Sequence, residues 1–346
     1  MKNLELHTSD KERDRESREK IRFSTIKSGW GHGFVTKPIF VKRMLLPHFW
    51  NAWFWMFFLC IIVNILPYGF QMWLGRKIGR LMGLIIPARK YVLKRNLELA
   101  FPEMPEDERH RLAKDVQRNA GQAIFETGIA WFWPDWRLKM HYKIDEEDVR
   151  RTLEYTKNGK PILLLSAHFV TLELMARIFG TVVTPGIGVY RPSDHPVWEY
   201  MQVKGRTRKN YALVSKNDPK SMILALKSGK PIWYAPDQDY GPRVSVFAPF
   251  FGVKDTATVS ATSTLAKMPG TRVVPAWTIR EGNKYHLYLR PAVTDFPQND
   301  AIKDATTVNH IIEEMVKMAP EQYLWMHRRF KTAPDPEENR YPKLKS

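Results

Sequence analysis

The stretch Pro161-Ile-Leu-Leu-Leu165-Ser-Ala-His168-Phe-Val-Thr-Leu-Glu173 changes its pattern halfway along. Residues 162–165 form a continuous apolar run after Gly159-Lys160-Pro161, which reads as a short strand buried on both faces. From Leu172 the apolar positions Leu172, Met175, Ala176 and Phe179 recur three and four apart, the period of a helix. His168 therefore stands where a buried strand ends and a helix begins, the edge at which open α/β sheets bind ligands. A lone histidine there more often caps a strand or satisfies a carbonyl than acts as a base. Glu173 changes that balance. Residues five apart on one helix point about 140° from each other, so the two cannot form the same-face pair of a zinc protease. His168 is expected before the helix, with Glu173 on its first turn reaching back to fix the imidazole tautomer of a general base.

Outward from this stretch the chain keeps alternating. Apolar runs at 188–190, 232–235, 273–276 and 285–289 are separated by helical patterns at 196–202, 219–227 and 256–267. That alternation predicts an α/β domain around a largely parallel sheet flanked by helices. Three polar stretches fall on the same edge as His168. Arg191 follows one strand and can make a forked contact to phosphate or carboxylate, or an ordinary surface salt bridge. Arg206 and Arg208 lie in Lys204-Gly-Arg-Thr-Arg-Lys209, suited to a phosphate or an acidic carrier, or to a solvated helix end. Asp237 and Asp239 follow another strand; no second cluster accompanies them, so hydrogen bonds or ion pairs are expected of them and no metal site is assigned.

The N-terminal part is of another kind. Residues 1–22 are dense in mixed charge and read as a solvated tail. No apolar core follows them within the distance a secretory signal requires. Residues 49–66 carry no charge, approach the roughly 20 residues needed to span a bilayer, and cluster Trp50, Trp53 and Trp55 at one end. After the break at Pro67 and Gly69, residues 70–86 mix apolar side chains with Arg76, Lys77 and Arg80, as a helix lying on a membrane surface does. Residues 95–132 are helical in pattern, with a start at Pro105-Glu-Asp-Glu and small residues Gly121, Ala123 and Gly128 predicting close packing. The segments divide as 1–44 charged tail and connector, 45–90 membrane anchor, 91–330 catalytic domain, and 331–346 a surface tail.

Of 346 residues, 54 are Lys or Arg, and the formal net charge is +18. Such a surface suits nucleic acid, anionic lipid or another acidic partner, and the apolar segment favours membrane. Cys60 is the single cysteine, which excludes an intramolecular disulfide and a cysteine-based metal cluster.

Five segments carry a family resemblance: Arg95-Asn-Leu-Glu-Leu-Ala-Phe-Pro-Glu-Met, Trp131-Phe-Trp-Pro, Pro185-Gly-Ile-Gly-Val-Tyr-Arg-Pro, Trp233-Tyr-Ala-Pro-Asp-Gln-Asp-Tyr-Gly-Pro-Arg and Ala319-Pro-Glu-Gln-Tyr-Leu-Trp-Met-His-Arg-Arg-Phe-Lys. With His168-x-x-x-x-Glu173 they resemble, in order and over nearly the whole chain, the late acyltransferases of lipid A biosynthesis, in their lauroyl/palmitoleoyl branch. The resemblance implies a glycerolipid-acyltransferase-like α/β fold, a mixed sheet flanked by helices, with an N-terminal transmembrane or interfacial helix. It implies transfer of an acyl chain, lauroyl first, from acyl carrier protein to a hydroxyl of a 3-hydroxyacyl chain on Kdo2-lipid IVA. No cofactor and no nucleic acid belong to that reaction. His168 and Glu173 match the catalytic motif, and Arg206 and Asp237 match functionally important positions, while Arg191 and Arg208 are added on chemical grounds. The implied location is the inner membrane, with the catalytic domain on the cytoplasmic side. Palmitoleoyl or myristoyl transfer, acylation of another lysolipid, a metal hydrolase built on His168, Asp237 and Asp239, and a non-catalytic basic membrane- or nucleic-acid-binding protein are the competing readings. His327-Arg328-Arg329 belongs to the pattern without an assigned role.

Overall fold

The computed structural model of the protein describes residues 33–342, so the charged stretch 1–22 lies outside the described residues. The described chain opens with β1 (Phe34–Val35), followed by helices α1 (Trp50–Ile65), α2 (Tyr68–Ile85), α3 (Pro87–Ala100) and α4 (Glu106–Phe132). Next come α5 (Asp135–Lys139), β2 (Tyr142–Ile144) and α6 (Glu146–Thr156). The alternating part runs β3 (Ile162–Leu165), α7 (Leu172–Val182), β4 (Ile187–Tyr190), α8 (Pro196–Arg206), β5 (Ala212–Ser215), α9 (Pro219–Lys227) and β6 (Ile232–Tyr234). A hairpin of β7 (Ser245–Phe250) and β8 (Val253–Val259) precedes α10 (Ala261–Ala266), β9 (Arg272–Glu281), β10 (Lys284–Leu289) and α11 (Ala301–Met318).

One mixed sheet organises these elements, in the order β1-β5-β4-β6-β3-β9-β10-β2. The five strands from β5 to β9 are parallel; β1 and β10 run against their neighbours, and β2 pairs parallel with β10. The continuous Ile162–Leu165 run is the middle of this sheet, and all four of its residues are buried, as a strand covered on both faces must be. The alternating region is thus an α/β fold with a mixed sheet flanked by helices, as the sequence predicts.

Two expectations change. Residues 256–259 are the end of β8, not the start of a helix. The β-branched Thr256, Thr258 and Val259 pair with β7, and helix begins only at Ala261. The helical pattern from 95 to 132 is two helices, because Pro102 and Pro105 interrupt the backbone between α3 and α4. The segment after Lys331 is mostly exposed, but it is fastened to the body at its far end. Tyr341 is buried, donates its hydroxyl to Asn96 and accepts from the Phe330 N–H, while Arg340 pairs with Asp255.

Helix α4 joins the N-terminal helices to the sheet. Gly75, Gly79 and Gly83, one every four residues on α2, face the stretch of α4 from Gln117 to Gln122. A Cβ on Gly121 would lie 2.1 Å from the Gly75 carbonyl oxygen, so the helices touch backbone to backbone. From the sheet side, Arg280 on β9 donates to Glu126, Asn119 and Gln122, three α4 side chains spaced for one face.

Candidate active site

Register brings the first two site residues together. Strands β3 and β6 are parallel neighbours with Leu165 opposite Tyr234. His168 stands three residues beyond Leu165 and Asp237 three beyond Tyr234, so the chains leave the sheet side by side. Asp237 grips His168 twice: one carboxylate oxygen accepts the His168 backbone N–H at 2.9 Å, and the other lies 2.6 Å from the ring Nδ1. The His168 side chain keeps 25% of its exposure while Asp237 keeps 1%. A carboxylate on Nδ1 places the proton there and leaves Nε2 as the basic atom; among the described residues no hydrogen bond takes Nε2.

Burial presses the His168 imidazole toward its neutral form, but the charge and hydrogen bonds of Asp237 outweigh it and hold the ring above its ordinary 6.5. Burial likewise pushes the Asp237 carboxyl up, and His168 more than reverses this, bringing it down to about 2. Both directions describe an imidazolium stabilised by an ionised carboxylate.

The sequence reading expects Glu173 to reach back to the ring; in the structure its carboxylate makes other contacts. Glu173 does lie on the first turn of α7, yet its carboxylate is taken by two other groups. Trp131 Nε1 donates to it at 3.0 Å, and Arg206 donates through Nε at 2.9 Å and Nη2 at 2.5 Å. Burial works against ionised Glu173, but Arg206 overrides it and lowers the carboxyl below its usual range. Arg206 ends α8, and its approach depends on Gly205, where a Cβ would fall 2.3 Å from Trp131 Cγ. Arg208 donates to the Trp131 carbonyl at 3.0 Å, joining Arg177, whose guanidinium caps the carbonyls of Ile129, Ala130 and Trp133. Cations at the carboxyl end of a long helix are favourably placed.

Arg191 is not drawn into this cluster: its side chain is 74% exposed and lies 3.6 Å from Asp194. Asp239 has its carboxylate filled by the Gly241 N–H and by the backbone and hydroxyl of Thr332. Among the described residues no group of three or more His, Cys, Asp or Glu is arranged to hold a metal ion. The His327-Arg328-Arg329 triplet acquires places. His327 Nε2 accepts the Asp239 N–H at 3.4 Å, and Arg329 is buried against the Ala257 carbonyl and Thr258.

Sequence reasoning left one part of the site without a role. The segment after α11 backs both strand ends: Leu324 N–H donates to the His168 carbonyl, Val170 N–H to Gln322, and Tyr323 hydroxyl reaches the Asp237 carbonyl. Its only sequence signal was the quoted 319–331 stretch.

Comparison with known proteins adds an independent line. The profile of the bacterial lipid A biosynthesis acyltransferases matches residues 37–332. The chain is 42% identical to the lipid A biosynthesis lauroyltransferase of Escherichia coli (strain K12) over 306 residues, covering 88% of this chain and 99% of that protein. The lipid A biosynthesis palmitoleoyltransferase of the same organism is 36% identical, covering 87% and 98%. Its myristoyltransferase counterpart is 28% identical, covering 85% and 91%.

Proposed function

The chain belongs to the bacterial lipid A biosynthesis acyltransferases and is an enzyme, and from that premise we propose that it moves a lauroyl chain from acyl carrier protein to a hydroxyl of a 3-hydroxyacyl chain on Kdo2-lipid IVA. Lauroyl is preferred to palmitoleoyl because identity to the lauroyltransferase is higher, 42% against 36%. The carrier thioester is made in the cytoplasm, so the catalytic domain works at the cytoplasmic face of the inner membrane. Both ligands are acidic and suit a chain of net charge +18.

His168 Nε2 removes the acceptor hydroxyl proton as the oxygen forms its bond to the thioester carbonyl carbon. The tetrahedral adduct then expels the carrier's thiolate, which takes the proton back from the imidazolium. No enzyme nucleophile is consumed; Ser166, two residues before His168, is buried, with its hydroxyl against Met175 Sδ. Asp237 holds the ring and stabilises its charged form, replacing Glu173 in that part. Glu173, Arg206 and Trp131 form a second unit that fixes the start of α7 against α4 and α8. The observation that carries this reading is the double contact of Asp237 with the ring and backbone of His168.

The test is acyl transfer by detergent-purified protein, offered lauroyl- and palmitoleoyl-carrier protein with the lipid acceptor. His168→Ala should lose roughly 10²-fold or more in turnover. Asp237→Asn should fall by about 10²–10⁴-fold, because the amide no longer fixes the tautomer. Full activity in Asp237→Asn together with a dead, folded Glu173→Gln would return the orienting role to Glu173. Transfer from neither donor would remove the substrate assignment.

A further inference from the structure

Helix α1 has the composition of a bilayer span: the stretch Pro47–Ile65 has mean hydropathy 1.4 and only 17% of it is buried. The chain before and after it, however, enters the same sheet. Phe34 and Val35, upstream of α1, pair antiparallel with Val214 and Leu213 of β5, and Phe34 is buried in the same core as β3 and β6. A helix that crossed a membrane between β1 and the rest would leave those two pairing partners on opposite sides of it.

The contacts along α1 agree. Its beginning packs through Phe49 and Ala52 on Val197 of α8. Its second half rests on α4, where a Cβ at Gly128 would meet Val63 and Leu59. Its final carbonyls are capped from the catalytic body: Trp133 Nε1 donates to Val63, and Arg137 to Val63, Asn64 and Leu66.

The opposite side of α1 is exposed. Trp50, Phe54, Phe57, Phe58, Ile61 and Ile65 recur at helical spacing and are each between 38% and 73% exposed. Helix α2 continues the surface with exposed Phe70, Trp73, Leu81 and Leu84, edged by exposed Arg76, Lys77 and Arg80. Between Glu19 and Glu98 the sequence holds no acidic residue, against thirteen lysines and arginines. Apolar side chains edged by cations fit an anionic lipid surface.

We propose that the protein is anchored from one side only: α1 and the outer face of α2 lie in the plane of an anionic membrane, and α1 does not cross it. The helices beneath, α4 and α8, carry Trp131 and Arg206, so the anchor sets the candidate site at the lipid surface. This rests on the reading of the acceptor as a membrane lipid, but its test measures topology and binding without acyl transfer, so the two fail separately.

In the full chain with Cys60→Ser, single cysteines replace exposed Lys37 and Lys227, upstream and downstream of α1, and a membrane-impermeant maleimide is applied to spheroplasts and to inverted vesicles. Both positions should label from the same face. Labelling from opposite faces overturns the proposal. The second arm is co-sedimentation with vesicles of phosphatidylethanolamine and phosphatidylglycerol. Phe57→Glu with Ile65→Glu, both pointing away from the domain, should weaken binding by about tenfold or more. Binding equal to the parent's, or a parent that ignores vesicles and elutes as a dimer covering this face, overturns it. Were the charged variant not to fold, the labelling of Lys37→Cys and Lys227→Cys would still decide.

Discussion

At the scale of single residues, the pair His168–Asp237 makes a pH prediction with a definite sign. The proposed base must be neutral to take a proton, and Asp237 holds the His168 imidazolium's pKa above its ordinary 6.5. The acidic limb of kcat/KM should therefore have its midpoint above 6.5 and move to lower pH in Asp237→Asn, since removing the carboxylate disfavours the charged ring. Glu173→Gln should displace the limb less, because its hydrogen bonds go to Arg206 and Trp131. Its cost appears in stability: Arg206 keeps its charge in a site from which the partner has gone, a change worth about 3–5 kcal/mol. A pH–rate series on the three proteins, with thermal melts, checks both statements, and a larger shift in Glu173→Gln would contradict them. Stability has its own sign. The Asp237 carboxyl is depressed from 3.8 to about 2, so the stability it lends is present above pH 3.8 and lost as pH falls through about 2.

At the scale of elements, the glycines of α2 and α4 predict what the sequence period alone does not quantify. Gly121→Ala forces a Cβ against the Gly75 carbonyl at 2.1 Å, and neither backbone can yield without separating the helices. The expected loss is about 1–3 kcal/mol, read as a lower melting temperature, while Gly69→Ala, with open space around it, should be nearly silent. The small residues on α4 were visible in the sequence as a packing signal, as were β3 and the helix start after His168, because local period decides them. What was not visible depends on which strands are neighbours. Strands β3 and β6 are separated by 66 residues of crossover between Leu165 and Ile232, and only their pairing sets Asp237 against His168. Glu173, five residues away and on the right turn, was the nearest carboxylate in sequence but not in space. The assignment failed for Thr256–Val259 for a related reason: a threonine-rich run takes strand or helix according to the partner it finds, and here that partner is β7.

For the whole molecule, the two contributions to membrane attraction separate by salt. The net charge of +18 acts through solution, and its reach falls from about 10 Å at 0.1 M salt to about 3 Å at 1 M. The exposed aromatic and aliphatic side chains of α1 act by burial, which salt does not screen. Association with phosphatidylglycerol-containing vesicles should therefore slow as salt rises, while a substantial fraction stays bound at 1 M. Vesicles of neutral lipid alone should bind more weakly than anionic ones at low salt, and the two should converge at high salt. Trp55, 52% exposed on α1, supplies a local probe: its replacement by phenylalanine should remove part of the blue shift in tryptophan emission that accompanies binding. If 1 M salt released the protein completely, charge alone would hold it at the surface, and the apolar face of α1 would not be buried in lipid.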